Sequence, residues 1–164
     1  MTWSVAEITA LASKAARGAG APAWQAARFG QAAALHLRHG RPATELGEAL
    51  TSLPDGPAMD LPLALDAALA TEAPEAEVMA DAPPGLLQSY IDALPCRATA
   101  TPGEAGVWRL SIDRGAPRVR PAPGRISCSD ALIAQMTALA EKTYVPETDA
   151  SRAAGAGAGL TDND

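Results

Sequence analysis

In "HLRH" two histidines, His36 and His39, stand three residues apart. That spacing puts both imidazoles on one face of a helix, within reach of a single metal ion. Such a site also needs a third ligand, and none follows at metal-binding spacing. Both histidines fall on the polar side of an amphipathic pattern, beside Gln25 and Arg28, so they are expected to face solvent and no metal site is expected. Cys128 offers a second kind of chemistry, since it sits at the start of an expected helix whose dipole would lower a thiol pKa. A nucleophile needs a neighbouring base, and neither histidine can be placed beside it. Cys96 and Cys128 are therefore expected as free structural thiols of a reducing compartment.

Two further stretches carry charge next to glycine. "KAARGAG" at 14–20 holds Lys14 and Arg17, three apart on one helical face, directly before Gly18 and Gly20, whose missing Cβ atoms free the backbone to approach a ligand. "SRAAGAGAGLTDND" at 151–164 holds Ser151 and Arg152, then Gly155, Gly157 and Gly159, then Thr161, Asp162 and Asp164. Arg17 and Arg152 could grip a carboxylate or phosphate through planar forks, and Lys14 could act as a point charge or proton donor. Asp162 and Asp164 could serve as acid/base groups or metal ligands, and the glycine backbones could donate to an anion. The plainer readings are a solvated Lys/Arg pair ahead of a helix stop and a disordered terminus.

At "EITALASKAARGAGAPAW" and "LAEKTYVPETDASRAAGAGAGLTDND", together about a quarter of the chain, the sequence resembles the DUF3726 family of bacterial proteins. The middle of the chain matches less well, and its second helix reads "AARFGQAA" where those relatives are more acidic. The resemblance brings no assigned activity. It implies that the two glycine-bearing stretches are signature segments, and hence that the C-terminal one is an ordered, working part.

The elements that would hold these residues follow from periodicity. In "SVAEITALASKAARGAG", Ser4 and Glu7 have the capping-box spacing, and Val5, Ile8, Leu11, Ala12, Ala15 and Ala16 recur with helical period until Gly18 and Gly20. Pro22 opens a second helix with Ala26, Phe29, Gly30, Ala33, Ala34 and Leu37 on its apolar face, ending at Gly40. Small residues on both stripes let the two helices approach closely as an antiparallel pair. A shorter helix in "PATELGEALTSL" turns Leu46, Ala49 and Leu50 inward, and "PDGP" closes it. Beyond it Pro57, Pro62 and Pro74 predict an irregular segment with one short helix near 63–70. "AEVMAD", "PPGLLQSYIDAL", "CRATAT" and "GVWRLSID" then read as strand, helix, strand, strand. "RGAPRVRPAPGR" predicts a surface linker, because its prolines and glycines break regular structure. A final helix, capped by Ser127 or Ser129, turns Leu132, Ile133, Met136, Leu139 and Ala140 inward.

The bulk of the chain fits this plan. Among 164 residues the hydrophobic share of 48% is mostly alanine and the aromatic share only 4%, which suits close-packed helices better than a large sandwich. The expectation is an α+β fold: an N-terminal antiparallel helical hairpin, a small β-α-β-β unit and a C-terminal helix in one domain over 1–154, then a Gly/Ala-rich acidic tail over 155–164. The net charge of −6 and the lack of a dense basic stretch argue against nucleic acid, including a helix-turn-helix reading of "GAGAPAWQAARFGQAAALHLRHG". No apolar run is long enough for a membrane and "MTWSVAEITA" has no basic leader, so a cytoplasmic protein is expected. Two functions remain. One is a site for an anionic small molecule between the first hairpin and the tail, with catalysis left open. The other is an accessory or oligomeric role in which the acidic tail docks on a protein partner.

Overall fold

Ser4 ends a three-residue strand, β1 (Thr2–Ser4), and caps helix α1 (Val5–Gly18). Its hydroxyl accepts from the Glu7 amide at 3.1 Å, while the Glu7 carboxylate accepts from the Ser4 amide at 2.6 Å, which completes both halves of the expected capping box. The same bonds hold the Glu7 carboxyl below its ordinary range. The computed structural model describes residues 2–118 and 124–144.

Helix α2 (Ala23–Arg38) folds back on α1, and Gly30 lies directly against it. A Cβ there would stand 2.0 Å from the Ser13 hydroxyl and 2.5 Å from the Thr9 carbonyl oxygen, so only glycine permits this separation. Helix α3 (Ala43–Thr51) follows with Leu46, Ala49 and Leu50 buried as expected. Next come α4 (Pro57–Ala70), β2 (Glu75–Met79), α5 (Pro84–Asp92), β3 (Cys96–Pro102), β4 (Val107–Pro117), β5 (Arg125–Ser127) and α6 (Asp130–Glu141). Ser129 caps α6, and Leu132, Met136 and Ala140 are buried along it. The strands form an antiparallel sheet in the order β2-β4-β3 and a two-stranded pair of β1 with β5. Val78, Ala98, Leu110 and Ile112 turn one sheet face to the core, while Glu75, Glu77, Thr101 and Arg109 turn the other to water. The architecture is α+β.

Three expectations are corrected. The segment 57–70 is one continuous helix and not an irregular run. Pro57 lies in its first turn, where a missing N–H costs nothing, and the carbonyl that Pro62 leaves without its helical donor, that of Ala58, is approached at 3.4 Å by the buried Tyr90 hydroxyl. The expected linker "RGAPRVRPAPGR" supplies the end of β4 and the start of β5. Its arginines explain why: Arg114 donates to the carbonyls of Leu69, Glu72 and Ala73 at 2.7–3.1 Å, tying β4 to the end of α4, and Arg125 donates to the Thr2 carbonyl at 2.5 Å across the β1–β5 pair. The third correction concerns His36, which is fully buried. Helix α2 packs against α1, α4, α5 and β5, so Ala32 and His36 are covered along with its apolar stripe.

Candidate functional site

Lys14 and Arg17 are exposed on the last turns of α1, ahead of Gly18 and of Gly20, whose φ of +108° ends the helix in a conformation that favours glycine. The room that Gly18 leaves is filled by α6. A Cβ on Gly18 would lie 1.8 Å from the Leu139 carbonyl oxygen and 3.5 Å from the Lys142 Cβ, so the C-terminal ends of α1 and α6 meet at this residue. Lys142 is exposed there, as is Tyr144, where the described chain stops. The end shared by the two helices therefore carries Lys14, Arg17 and Lys142. Ser151, Arg152, Gly155, Gly157, Gly159, Thr161, Asp162 and Asp164 lie outside the described residues.

A second gathering of polar groups lies where α2, the turn after it, α5 and the end of β4 converge. Asp92, with a side chain only 5% exposed, accepts from Arg41 at 2.5 Å, from Gln88 at 3.1 Å and from Arg118. His39 places Nδ1 at 3.2 Å from the same carboxylate. Burial pushes the Asp92 carboxyl up, but the bonds from Arg41 and Gln88 and the two guanidinium charges outweigh it and hold the group below its ordinary range. Arg118 also donates to the Ile91 carbonyl at 3.2 Å, so one side chain ties β4 to both the end of α5 and its buried acid.

Beside this clasp, Ser89 accepts from Arg41 at 2.7 Å and donates to the Gly85 carbonyl at 2.7 Å. That assignment leaves the His36 Nδ1, 2.9 Å away, to donate to Ser89, while Nε2 faces the Pro42 carbonyl at 2.8 Å. A neutral imidazole carries a single N–H and makes one of these two bonds at a time. Burial nevertheless holds the His36 pKa below its ordinary value, against the pull of the Pro42 carbonyl and of Glu45, whose carboxylate oxygen is 4.0 Å from Nε2. A serine beside a histidine resembles a nucleophile and its base, but Ser89 and His36 are both wholly buried and cannot meet a substrate. The cluster is a clasp between elements.

None of this was visible as a motif, since the clasp joins residues from 36 to 118 and its members are ordinary polar side chains until the helices pack. Both cysteines are free, and Cys128 differs from expectation: it precedes the cap residue Ser129, and burial pushes its thiol up, not down as the helix dipole alone would. Among the described residues no group of histidine, cysteine and carboxylate side chains could hold a metal ion. No helix among them is long and apolar enough to cross a membrane. No family model, curated protein or solved structure matches the chain.

Proposed function

We propose that the protein binds an anionic small molecule at the joined C-terminal ends of α1 and α6, with the segment 151–164 completing the site. The observation that carries this is the contact of Gly18 with the Leu139 carbonyl, because it makes the chain leave α6 beside Lys14 and Arg17. Six residues separate Tyr144 from Ser151, and an extended chain covers about 3.3–3.6 Å per residue, so reach is not limiting. Helix C-termini are the negative ends of their dipoles and repel anions on their own. Lys14, Arg17, Lys142 and Arg152 must therefore supply the attraction, with planar forks from the arginines and a point charge from each lysine. The likeness of "KAARGAG" and "SRAAGAGAGLTDND" to DUF3726 signature segments supports the same pairing of the two stretches.

Titration calorimetry with citrate and with inorganic phosphate tests the proposal. The intact protein is expected to bind one of them, and the double variant Lys14→Ala/Arg17→Ala and the chain ending at Ala154 are each expected to bind it at least tenfold more weakly. Equal affinity in all three proteins, or no binding to either anion, would overturn the reading.

A further inference from the structure

The outer edge of β2 is a free strand edge whose hydrogen-bonding phase can be read from its ends. The Pro74 carbonyl accepts from the Ile112 amide at 2.7 Å, and the Ala80 amide donates to the Gly106 carbonyl at 3.1 Å. With Ala76 opposite Leu110 and Val78 opposite Trp108, the even-numbered residues direct their backbone groups to β4. Glu75, Glu77 and Met79 therefore direct their amide and carbonyl groups away from the sheet, and among the described residues no strand pairs with that side.

Beside this edge runs a groove of about 420 Å³, with Ala64, Ala67 and Ala68 of α4 and the following Thr71 on one wall and β2 on the other. Met79 stands 77% exposed at its end. A strand added here would point alternate side chains over the small residues of α4 and the others beside Glu75 and Glu77.

Charge selects the occupant. No lysine or arginine occurs between Arg41 and Arg97, a run that includes α4, β2 and ten acidic residues. Three basic groups do reach this region from elsewhere, and the first, Arg28, is taken by Asp66 of α4 at 3.4 Å. Arg114 is engaged by carbonyls at the end of α4, and Arg109 meets Glu77 at 3.6 Å where both are mostly exposed, a pairing that water screens heavily. A second copy of the chain fits poorly, because antiparallel pairing of β2 with itself places glutamates of one copy opposite or diagonal to those of the other. We propose that this edge and groove take an extended segment of a partner protein by strand addition, a segment alternating basic with aliphatic residues. Main-chain bonds to Glu75, Glu77 and Met79 fix its register, the basic side chains meet the two glutamates, and the aliphatic ones lie over the α4 alanines.

The probe is a fluorescein-labelled peptide of sequence Lys-Val-Lys-Val-Lys, followed by anisotropy. The expected result is saturable binding that weakens with salt, and at least tenfold weaker binding of the same peptide N-methylated at its central amide, which keeps every charge but blocks strand pairing. Glu77→Pro removes one outward N–H and no bond to β4, so it is expected to keep the far-ultraviolet circular dichroism and lose at least tenfold in affinity. The double variant Glu75→Lys/Glu77→Lys should instead prefer Glu-Val-Glu-Val-Glu, a gain that a misfolded protein could not show. Absence of binding, equal binding of the methylated peptide, or failure of the charge-reversed protein to switch would each overturn the proposal. A dimer in sedimentation that Glu77→Pro dissociates would overturn it as well, by giving the edge to a second copy.

Discussion

Asp92 is the most heavily engaged single group in the described structure, holding Arg41 and Arg118 while both are largely withdrawn from water. A buried carboxylate facing two guanidinium groups is tolerable only because every charge has a hydrogen-bonded partner. His36 sits next to that clasp in a less secure state. Its folded pKa is lowered by burial, so the unfolded chain binds the proton more readily than the folded one. The His36 contribution to stability is therefore complete above the unfolded value of about 6.5 and is lost as pH falls from there through the folded value. Asp92, also depressed, adds a loss of its own only at lower pH, beneath about 4. Urea unfolding at pH 7 and pH 5 should show the native protein weaker at pH 5. His36→Gln should be less stable at pH 7 by about 1–3 kcal/mol, through the lost bond to Ser89 or Pro42 and the disturbed packing, and should lose less than the native protein on going to pH 5.

At the scale of elements, glycine decides how closely the helices meet. Alanine in place of glycine inside a helix is ordinarily worth about 1 kcal/mol of stability. At Gly18 the added carbon would stand 1.8 Å from a backbone oxygen of α6, which cannot swing aside as a side chain would. Gly18→Ala is thus expected to reverse the usual sign and destabilise the protein by about 1–3 kcal/mol, measured as a fall in the urea midpoint at unchanged slope. Gly85 supplies the contrast. The nearest atoms to a Cβ there belong to the flexible end of Glu45, so substitution at Gly85 moves a side chain and not a helix.

Across the whole molecule, charge and glycine separate binding from stability. The acidic run between Arg41 and Arg97 flanks the free edge of the sheet, while Lys14, Arg17 and Lys142 mark the joined ends of α1 and α6. The last ten residues contribute only one large apolar side chain, Leu160, worth about 1.5–3 kcal/mol if fully buried. Ordering ten residues costs on the order of 10–20 kcal/mol of backbone entropy, which burial of one leucine does not offset. Ending the chain at Ala154 should consequently lower the thermal midpoint by less than about 10 °C, whatever it does to binding. A larger fall in differential scanning calorimetry would make the segment structural.

Features that depend on neighbours along the chain are legible before any folding is considered. The capping box of Ser4 and Glu7, the alanine and glycine stripes of the first hairpin, the three inward residues of α3 and the alternation that builds the three-stranded sheet are all local patterns of period 3.6 or 2. Of the residues expected at the site, Lys14, Arg17, Gly18 and Gly20 are gathered at one helix end by α1 itself. The rest depends on packing. Pro62 predicts a helix break, and the approach of Tyr90 to the Ala58 carbonyl that accompanies the continuous helix joins residues 32 positions apart. Periodicity assigns one face of α2 to the core and His36 to solvent, whereas the helix is enclosed on several sides. The arginines of the expected linker became anchors because the carbonyls they satisfy lie at the ends of distant elements. Long-range polar bonds leave no periodic trace in a sequence, since only packing brings the two partners together and removes the water that would otherwise serve them.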